Sequence, residues 1–191
     1  VGDARDLAMS ILKVAGAGGR TEMVHDLLVK WNVFYGPDKE KKSNWLIELI
    51  NESKVLILAC NGHTQVVEML LTIHGININM MDSSDSTGLY KACAVGDFHI
   101  VMLLLAMDGI NVNLANKDGS TPLLMATRNG NVDTAKVLIK AGANVNQATT
   151  TGGYTPLIMA SQEGNVDLVK VLIKAGGNVN QAATDDGCTP I

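Results

Sequence analysis

One stretch of 27 residues, repeated along the chain, constrains the fold more than any other feature. Ser120 to Asn146 reads STPLLMATRNGNVDTAKVLIKAGANVN, and 154–180 repeats it as YTPLIMASQEGNVDLVKVLIKAGGNVN. Looser copies occupy 86–113 and 52–79. Each copy has a turn glycine 34 residues after the last, at Gly62, Gly96, Gly130 and Gly164. This periodicity predicts a stack of similar units that has no single central core.

Each copy predicts two short helices joined by a tight turn. Thr121 can accept a hydrogen bond from an otherwise unpaired amide at a helix start, and Pro122 suits the first helical position. Gly130 ends this helix, because glycine tolerates the positive φ that the turn requires. A second helix follows, with its apolar residues at helical spacing: Val132, Ala135, Leu138 and Ile139. Neither helix can bury its apolar face alone, so stability is expected to come from stacking.

The motifs TPLLMA at 121–126 and TPLIMA at 155–160, followed by GNVD and an NVN tail, resemble ankyrin repeats. The resemblance is close over 82–191 and moderate over 53–81. In the motif TPLHxAA, Leu124 and Ile158 take the place of the histidine. A tetratricopeptide array also has a period of 34 but lacks the TPL start and the NVN tail. The resemblance implies an all-α ankyrin-repeat solenoid of stacked helix-turn-helix units with short β-hairpin or extended loops.

The whole chain, 1–191, is predicted to be a single array. Gly19 begins a match to the segment at Gly62, but 43 residues separate these glycines, which indicates an insertion of about nine residues. The predicted parts are a degenerate N-terminal repeat (4–31), the insertion (32–52), four repeats (53–81, 82–115, 116–149 and 150–183) and the start of a further repeat (184–191). Because the sequence stops inside a repeat and lacks an initial methionine, we expect a fragment of a longer chain.

Composition excludes several classes of function. A net charge of −4, with no basic stripe, argues against nucleic-acid binding. No run of about 18 apolar residues is present, so no membrane insertion is expected. The start lacks the apolar core of a secretory signal. Three cysteines, at positions 60, 93 and 188, are too few for a secreted disulfide framework, and an odd number cannot all form pairs. We therefore expect a monomeric intracellular protein, cytoplasmic or nuclear, with reduced cysteines.

The sequence offers no catalytic or metal-binding constellation. Its four histidines are dispersed, and although His63 and His99 occupy neighbouring turn positions, neither has a second ligand at metal-binding spacing. The glycine-rich segment 15–21 lacks the preceding strand and the lysine of a phosphate loop. The prediction is therefore a non-enzymatic protein with no catalytic residues, metal or cofactor.

The resemblance implies binding of a partner protein or peptide on a concave face, through the hairpin tips and the exposed ends of the first helices. By repeat position, the tip candidates are Ser83, Ser84, Ser86, Lys117, Asp118, Ser120, Thr151, Gly152, Tyr154, Asp185 and Asp186. The helix-end candidates are Val95, Arg128, Asn129, Gln162 and Glu163. Tyr154 and Arg128 are favoured, because aromatic residues and arginine are enriched in binding hot spots.

Two alternatives stay open at this point. The chain could be a structural spacer in a long array whose recognition surface lies elsewhere. Recognition could also lie in the insertion at 31–45, which contains four of the seven aromatic residues: Trp31, Phe34, Tyr35 and Trp45. Equally, these rings could shield the open end of the stack, because a terminal repeat must cover its outer face.

Overall fold

A computed structural model of the protein describes residues 2–34, 47–185 and 187–190. Over these residues the chain forms helices joined by turns and short loops. In order they are α1 (Gly2–Ala17), α2 (Thr21–Phe34), α3 (47–53), α4 (Val55–Ala59), α5 (Thr64–Leu71), α6 (Gly88–Val95), α7 (Phe98–Leu105), α8 (Pro122–Arg128), α9 (Val132–Lys140), α10 (Pro156–Gln162) and α11 (Val166–Lys174). Among the described helices, none has the length and apolar character needed to cross a membrane.

The helices stack as pairs in two layers. The first helices α4, α6, α8 and α10 pack side by side, and the second helices α5, α7, α9 and α11 pack on each other in the same order. The pair α1 and α2 continues both layers, because α1 packs on α4 and α2 packs on α5. α2 runs to Phe34 and so includes the first residues of the predicted insertion. Most of that insertion, including Trp45, lies outside the described residues.

The first helices begin as their sequences predict. Thr121 Oγ1 accepts a hydrogen bond from the Leu124 amide at 3.2 Å, and Pro122 takes the first helical position. Thr87 and Thr155 cap α6 and α10 in the same way. The four turn glycines at 62, 96, 130 and 164 all have positive φ, between 66° and 102°. The predicted helix starts and turns are thus confirmed.

A continuous apolar core runs through the stack between the two layers. Each unit contributes completely buried leucines, among them Leu89, Leu104, Leu123, Leu138 and Leu157. The first helices carry a buried alanine where they meet, as at Ala126 and Ala160, so their backbones can approach closely. Each such leucine contributes about 1.5–3 kcal/mol to folding, and much of this depends on the neighbouring unit.

The NxN tails connect one unit to the next. The Asn113 side chain accepts a hydrogen bond from the Asn144 amide at 2.7 Å and donates one to the Gly142 carbonyl at 3.1 Å. Asn79 and Asn146 make the same pair of bonds to the units that follow them. In α3, Asn51 accepts from the Asn77 amide at 2.9 Å and so begins the series. A row of asparagine side chains therefore fixes the spacing of the units.

The loops before the first helices turn back on themselves as short hairpins. Each is closed by a backbone bond of 3.0 Å, from Asp82 to Ser86, from Asn116 to Ser120 and from Thr149 to Tyr154. The last hairpin is longer by one residue, and its consecutive glycines 152 and 153 both have positive φ. In the described part of the chain these loops contain one isolated bridge, Met81 to Thr87, rather than extended strands.

Candidate functional site

Consecutive hairpin tips are joined to each other through the backbone. The Lys117 amide donates to the Ser84 carbonyl at 3.1 Å, and the Thr150 amide donates to the Asp118 carbonyl at 2.9 Å. Thr184 donates to Gly152 in the same way, also at 2.9 Å. These bonds hold the tips in a row beside the starts of the first helices.

A polar side chain at the start of each hairpin organises its tip. Asp82 Oδ1 accepts from the amides of Ser84 and Ser86 at 2.8 and 3.0 Å. Asn116 Oδ1 accepts from the amides of Asp118 and Ser120 at 3.0 and 2.9 Å. Such local turns are typical of Asp and Asn.

Two predicted binding residues are turned inward by this arrangement. Ser86 and Ser120 are only 3% and 8% exposed, because each follows the tip and leads directly into a helix cap. Ser86 therefore offers almost no surface to a partner, and Ser120 offers only a small part of its side chain. The prediction placed them there by repeat position alone.

Asp82 also holds the neighbouring first helix. Its Oδ2 atom lies 3.0 Å from the Lys91 ammonium on α6. Burial acts to raise the pKa of the Asp82 carboxyl, but hydrogen bonds from the Ser86 amide, Lys91 and the Ser84 amide outweigh it, so the pKa is lowered. The ionised carboxylate is thus the form that the hairpin and helix require.

A cleft of about 330 Å³ lies between the hairpin tips and the first helices α6, α8 and α10. Six of the predicted residues line it: Asp118, Ser120, Arg128, Thr151, Tyr154 and Gln162. Five lining residues were not predicted: Tyr90, Asn116, Leu124, Thr149 and Met159. The cleft thus draws its walls from three successive units.

One of these unpredicted residues, Tyr90, could have been found from its position in the repeat. Tyr90 aligns with Leu124 and Ile158, the place where the ankyrin motif has histidine. Its hydroxyl accepts a hydrogen bond from Asn116 Nδ2 at 3.4 Å, so the side chain stands against the hairpin. Comparing the copies at this one position would have drawn attention to Tyr90.

The remaining candidates lie outside the cleft. Ser83, Ser84, Lys117, Glu163 and Asp185 are exposed, and Val95 is 54% exposed. Asp186 lies outside the described residues.

Asn129 has a role within the stack. Its side-chain amide donates to the carbonyls of Cys93 at 3.2 Å and Ala94 at 2.8 Å, in the last turn of α6. Helix ends leave carbonyls without partners, and Asn129 satisfies two of them. It therefore bridges two adjacent first helices, whatever else it contacts.

Two of the histidines and two of the cysteines make contacts within the stack. His63 Nε2 lies 2.7 Å from the Ala17 carbonyl, and His99 Nε2 lies 3.3 Å from Glu68 Oε1. Cys60 and Cys93 are completely buried, and burial raises the pKa of both thiols, that of Cys93 to about 12. Within the described ranges, no three His, Cys, Asp or Glu side chains are grouped so that they could hold a metal.

Comparison with protein families agrees with this architecture. A model of ankyrin repeats in three copies matches residues 55–149, and a model of the single ankyrin repeat matches 152–185. Together they cover more than half of the chain, which belongs to the ankyrin-repeat family. Members of this family are generally protein–protein interaction modules and typically non-enzymatic. A search of curated proteins found no match to the chain.

Proposed function

We propose that this chain binds a partner protein or peptide on its concave face, and that the cleft between α6, α8 and α10 is the centre of the contact. The observation that supports this most directly is the cleft itself, which combines apolar, aromatic and charged side chains from three units. Concave sites with a few convergent polar groups are typical of ligand-binding surfaces.

The cleft residues differ between copies, whereas the scaffold residues repeat. At the position of Arg128 the neighbouring units carry Ala94 and Gln162. Thr121 and Pro122, by contrast, recur as Thr155 and Pro156 because the helix start requires them. Variation at exposed positions of a regular scaffold supports a role in recognition.

The rigidity of the face favours binding. The tips are joined by backbone bonds, and the helices behind them are fixed by the core. A preformed surface loses little conformational entropy when a partner binds. A chain acting only as a spacer would have no need for a cleft with two tyrosines and an arginine.

A triple variant tests the proposal. Changing Lys117, Arg128 and Tyr154 to Ala should abolish the capture of partner proteins by the immobilised chain, because it removes three hairpin and helix-end side chains around the cleft. The matched control changes three exposed lysines of the second helices to Ala: Lys140, Lys170 and Lys174. Partners captured by wild type and control but lost from the triple variant would support the proposal.

Thermal unfolding of each variant shows whether a loss of binding is caused by a loss of folding. Lys117→Ala and Arg128→Ala should each shift the free energy of unfolding by no more than ~0.5 kcal/mol, because both side chains are exposed. Tyr154 is partly buried, so a larger loss of stability is expected for Tyr154→Ala. A partner that still binds the folded triple variant would contradict binding at the cleft and would favour the spacer alternative or recognition by the insertion.

A further inference from the structure

The cleft contains two opposite charges that are not paired with each other. Among the side chains that line it, Asp118 and Arg128 are those with a formal charge. Asp118 lies on the hairpin tip and Arg128 in the last turn of α8. Within the described ranges, neither charged group forms an ion pair or a side-chain hydrogen bond. One cleft therefore contains an anionic group and a cationic group.

The length of α8 separates the backbone positions of these two residues. Its seven residues at a rise of 1.5 Å each span about 10 Å. Asp118 comes before the helix starts, on the tip, so the two residues are attached to the backbone near opposite ends of α8. Because neither charged group is paired within the described ranges, both are available to a ligand.

Apolar and aromatic side chains line the same cleft, beside five uncharged polar ones. Leu124, 3% exposed, and Met159 are its aliphatic lining residues and are called the floor. Tyr90 belongs to the unit before Leu124, and Tyr154 belongs to the unit after it. A ligand that fits would carry a cation near Asp118, an apolar group over Leu124 and an anion near Arg128.

An extended peptide can span this backbone separation. Its residues advance about 3.3 Å each, and alternate side chains point to the same side. Residues four apart therefore lie on one side and about 13 Å from each other, with the residue between them facing the floor.

We propose that the cleft binds an extended segment of the partner in which a Lys or Arg and an Asp or Glu stand four positions apart with an apolar residue midway. This inference rests on the proposed binding at the cleft and adds the chemistry of the ligand. The neighbouring copies have Ser84 and Gly152 at the position of Asp118, and Ala94 and Gln162 at that of Arg128. The charge pair is therefore particular to one unit and is not required by the scaffold.

Selection from a phage library of random 12-residue peptides on the wild-type chain tests the inference. Enriched peptides should contain the two opposite charges at this spacing, in one chain direction or the other. Synthetic copies, measured by fluorescence polarisation, should lose about tenfold or more in affinity for Arg128→Glu and for Asp118→Lys, because each change places like charges together. The Lys136→Glu change on the opposite layer is the matched control and should leave affinity unaltered.

Exchanging the charges gives the decisive measurement. The double variant Asp118→Lys, Arg128→Glu should bind poorly to the selected peptide and recover binding when the two charges of the peptide are exchanged as well. Added salt should weaken both matched pairs.

The possible failures are distinguishable. Peptides that bind Tyr154→Ala more weakly than wild type, but bind both charge variants with unchanged affinity, would overturn the charge-pair inference and leave the cleft as the binding site. Peptides that bind Tyr154→Ala and both charge variants with the same affinity as wild type would overturn binding at the cleft. A library that yields no binder would count against both.

Discussion

At the scale of single residues, the turn glycines show most clearly how backbone geometry selects an amino acid. Gly130 has φ of 72°, a conformation that side chains with a branched β-carbon avoid. The nearest atom to a Cβ built at this position, Asn165 Nδ2, is 3.5 Å away, which is an ordinary contact. Any penalty for substitution at Gly130 therefore comes from the backbone and not from crowding.

We expect Gly130→Val to lower the free energy of unfolding by more than ~1 kcal/mol, because valine must be held at positive φ. Lys136→Val is the matched control, since it places the same residue at an exposed helical position, where it lowers helix propensity and removes an exposed ion pair with Asp133. Urea denaturation followed by circular dichroism measures both. Equal stability of Gly130→Val and wild type would show that the turn does not need this φ.

The lowered pKa of Asp82 makes stability depend on pH in a defined direction. The folded chain holds this carboxylate ionised below its ordinary pKa of 3.8, so the unfolded chain binds more protons over that interval. The stability that the group supplies is complete above 3.8 and is lost as pH falls through the folded-state pKa. Asp82→Asn keeps the turn geometry, as Asn116 shows in the next unit, but lacks the titration.

We therefore expect wild type to exceed Asp82→Asn in stability at pH 7 and to lose this advantage as the pH falls below 3.8 through the lowered pKa of the folded state. Chemical denaturation at a series of pH values gives the difference directly. Asp133→Asn serves as the control, because the Asp133 side chain is 81% exposed beside Lys136. An advantage that did not fall as the pH dropped below 3.8 would contradict the role of the Asp82 carboxylate.

Local chemistry explains which residues the sequence could predict. The cap at Thr121 and the turn at Gly130 depend only on neighbours in the chain, so their types and spacing were sufficient. The burial of Ser86 and Ser120 depends on how each hairpin folds against the next unit, which spacing does not encode. Tyr90 differs from the other copies at its position and could have been noticed, but its contact with Asn116 of the following hairpin is not encoded by spacing.

At the scale of elements, the asparagine tails couple each unit to the next. Asn113 makes one bond to the Asn144 amide and one to the Gly142 carbonyl, so it connects the end of one helix pair to the end of the following pair. The helices were predictable from their apolar period, but this connection between loops was not, because it joins residues about 30 positions apart.

We expect Asn113→Ala to destabilise the chain by about 1–3 kcal/mol, since a backbone amide and a carbonyl each lose a partner. Asn180→Ala is the matched control: it is the same residue of the last complete tail, where only its backbone amide makes a bond in the described part of the chain. Thermal unfolding of both variants should show a clear loss for Asn113→Ala alone. Identical melting temperatures for the two would argue that the side-chain row adds nothing to stability.

At the scale of the whole molecule, the described units form a one-dimensional stack in which each contacts its immediate neighbours. Stability in such arrays is a sum of unit and interface contributions, and parts of the stack can unfold separately. Cys60 and Cys93 lie in two adjacent units, both completely buried, whereas Cys188 is exposed. The reactivity of the two buried thiols can therefore be used to measure the opening of these units.

We expect an alkylating reagent to modify Cys60 and Cys93 in the native protein far more slowly than Cys188, because burial shields the two thiols and raises the pKa of each. Mass spectrometry after timed labelling in increasing urea should show whether the two become reactive together. Asn113→Ala, which weakens the next interface, should accelerate both. Rapid labelling of Cys60 or Cys93 in the absence of denaturant would contradict the packing described.

The shortest bonds between hairpin tips join main-chain atoms: the amides of Lys117, Thr150 and Thr184 and the carbonyls opposite them. Thr150 Oγ1 adds one longer side-chain bond, at 3.4 Å, to the Lys117 carbonyl. Almost any amino acid can supply the main-chain atoms. Point mutations can therefore change the outward side chains of a tip one at a time while the spacing of the tips stays the same. A lineage carrying this scaffold can exchange one partner for another through point substitutions, without passing through misfolded intermediates.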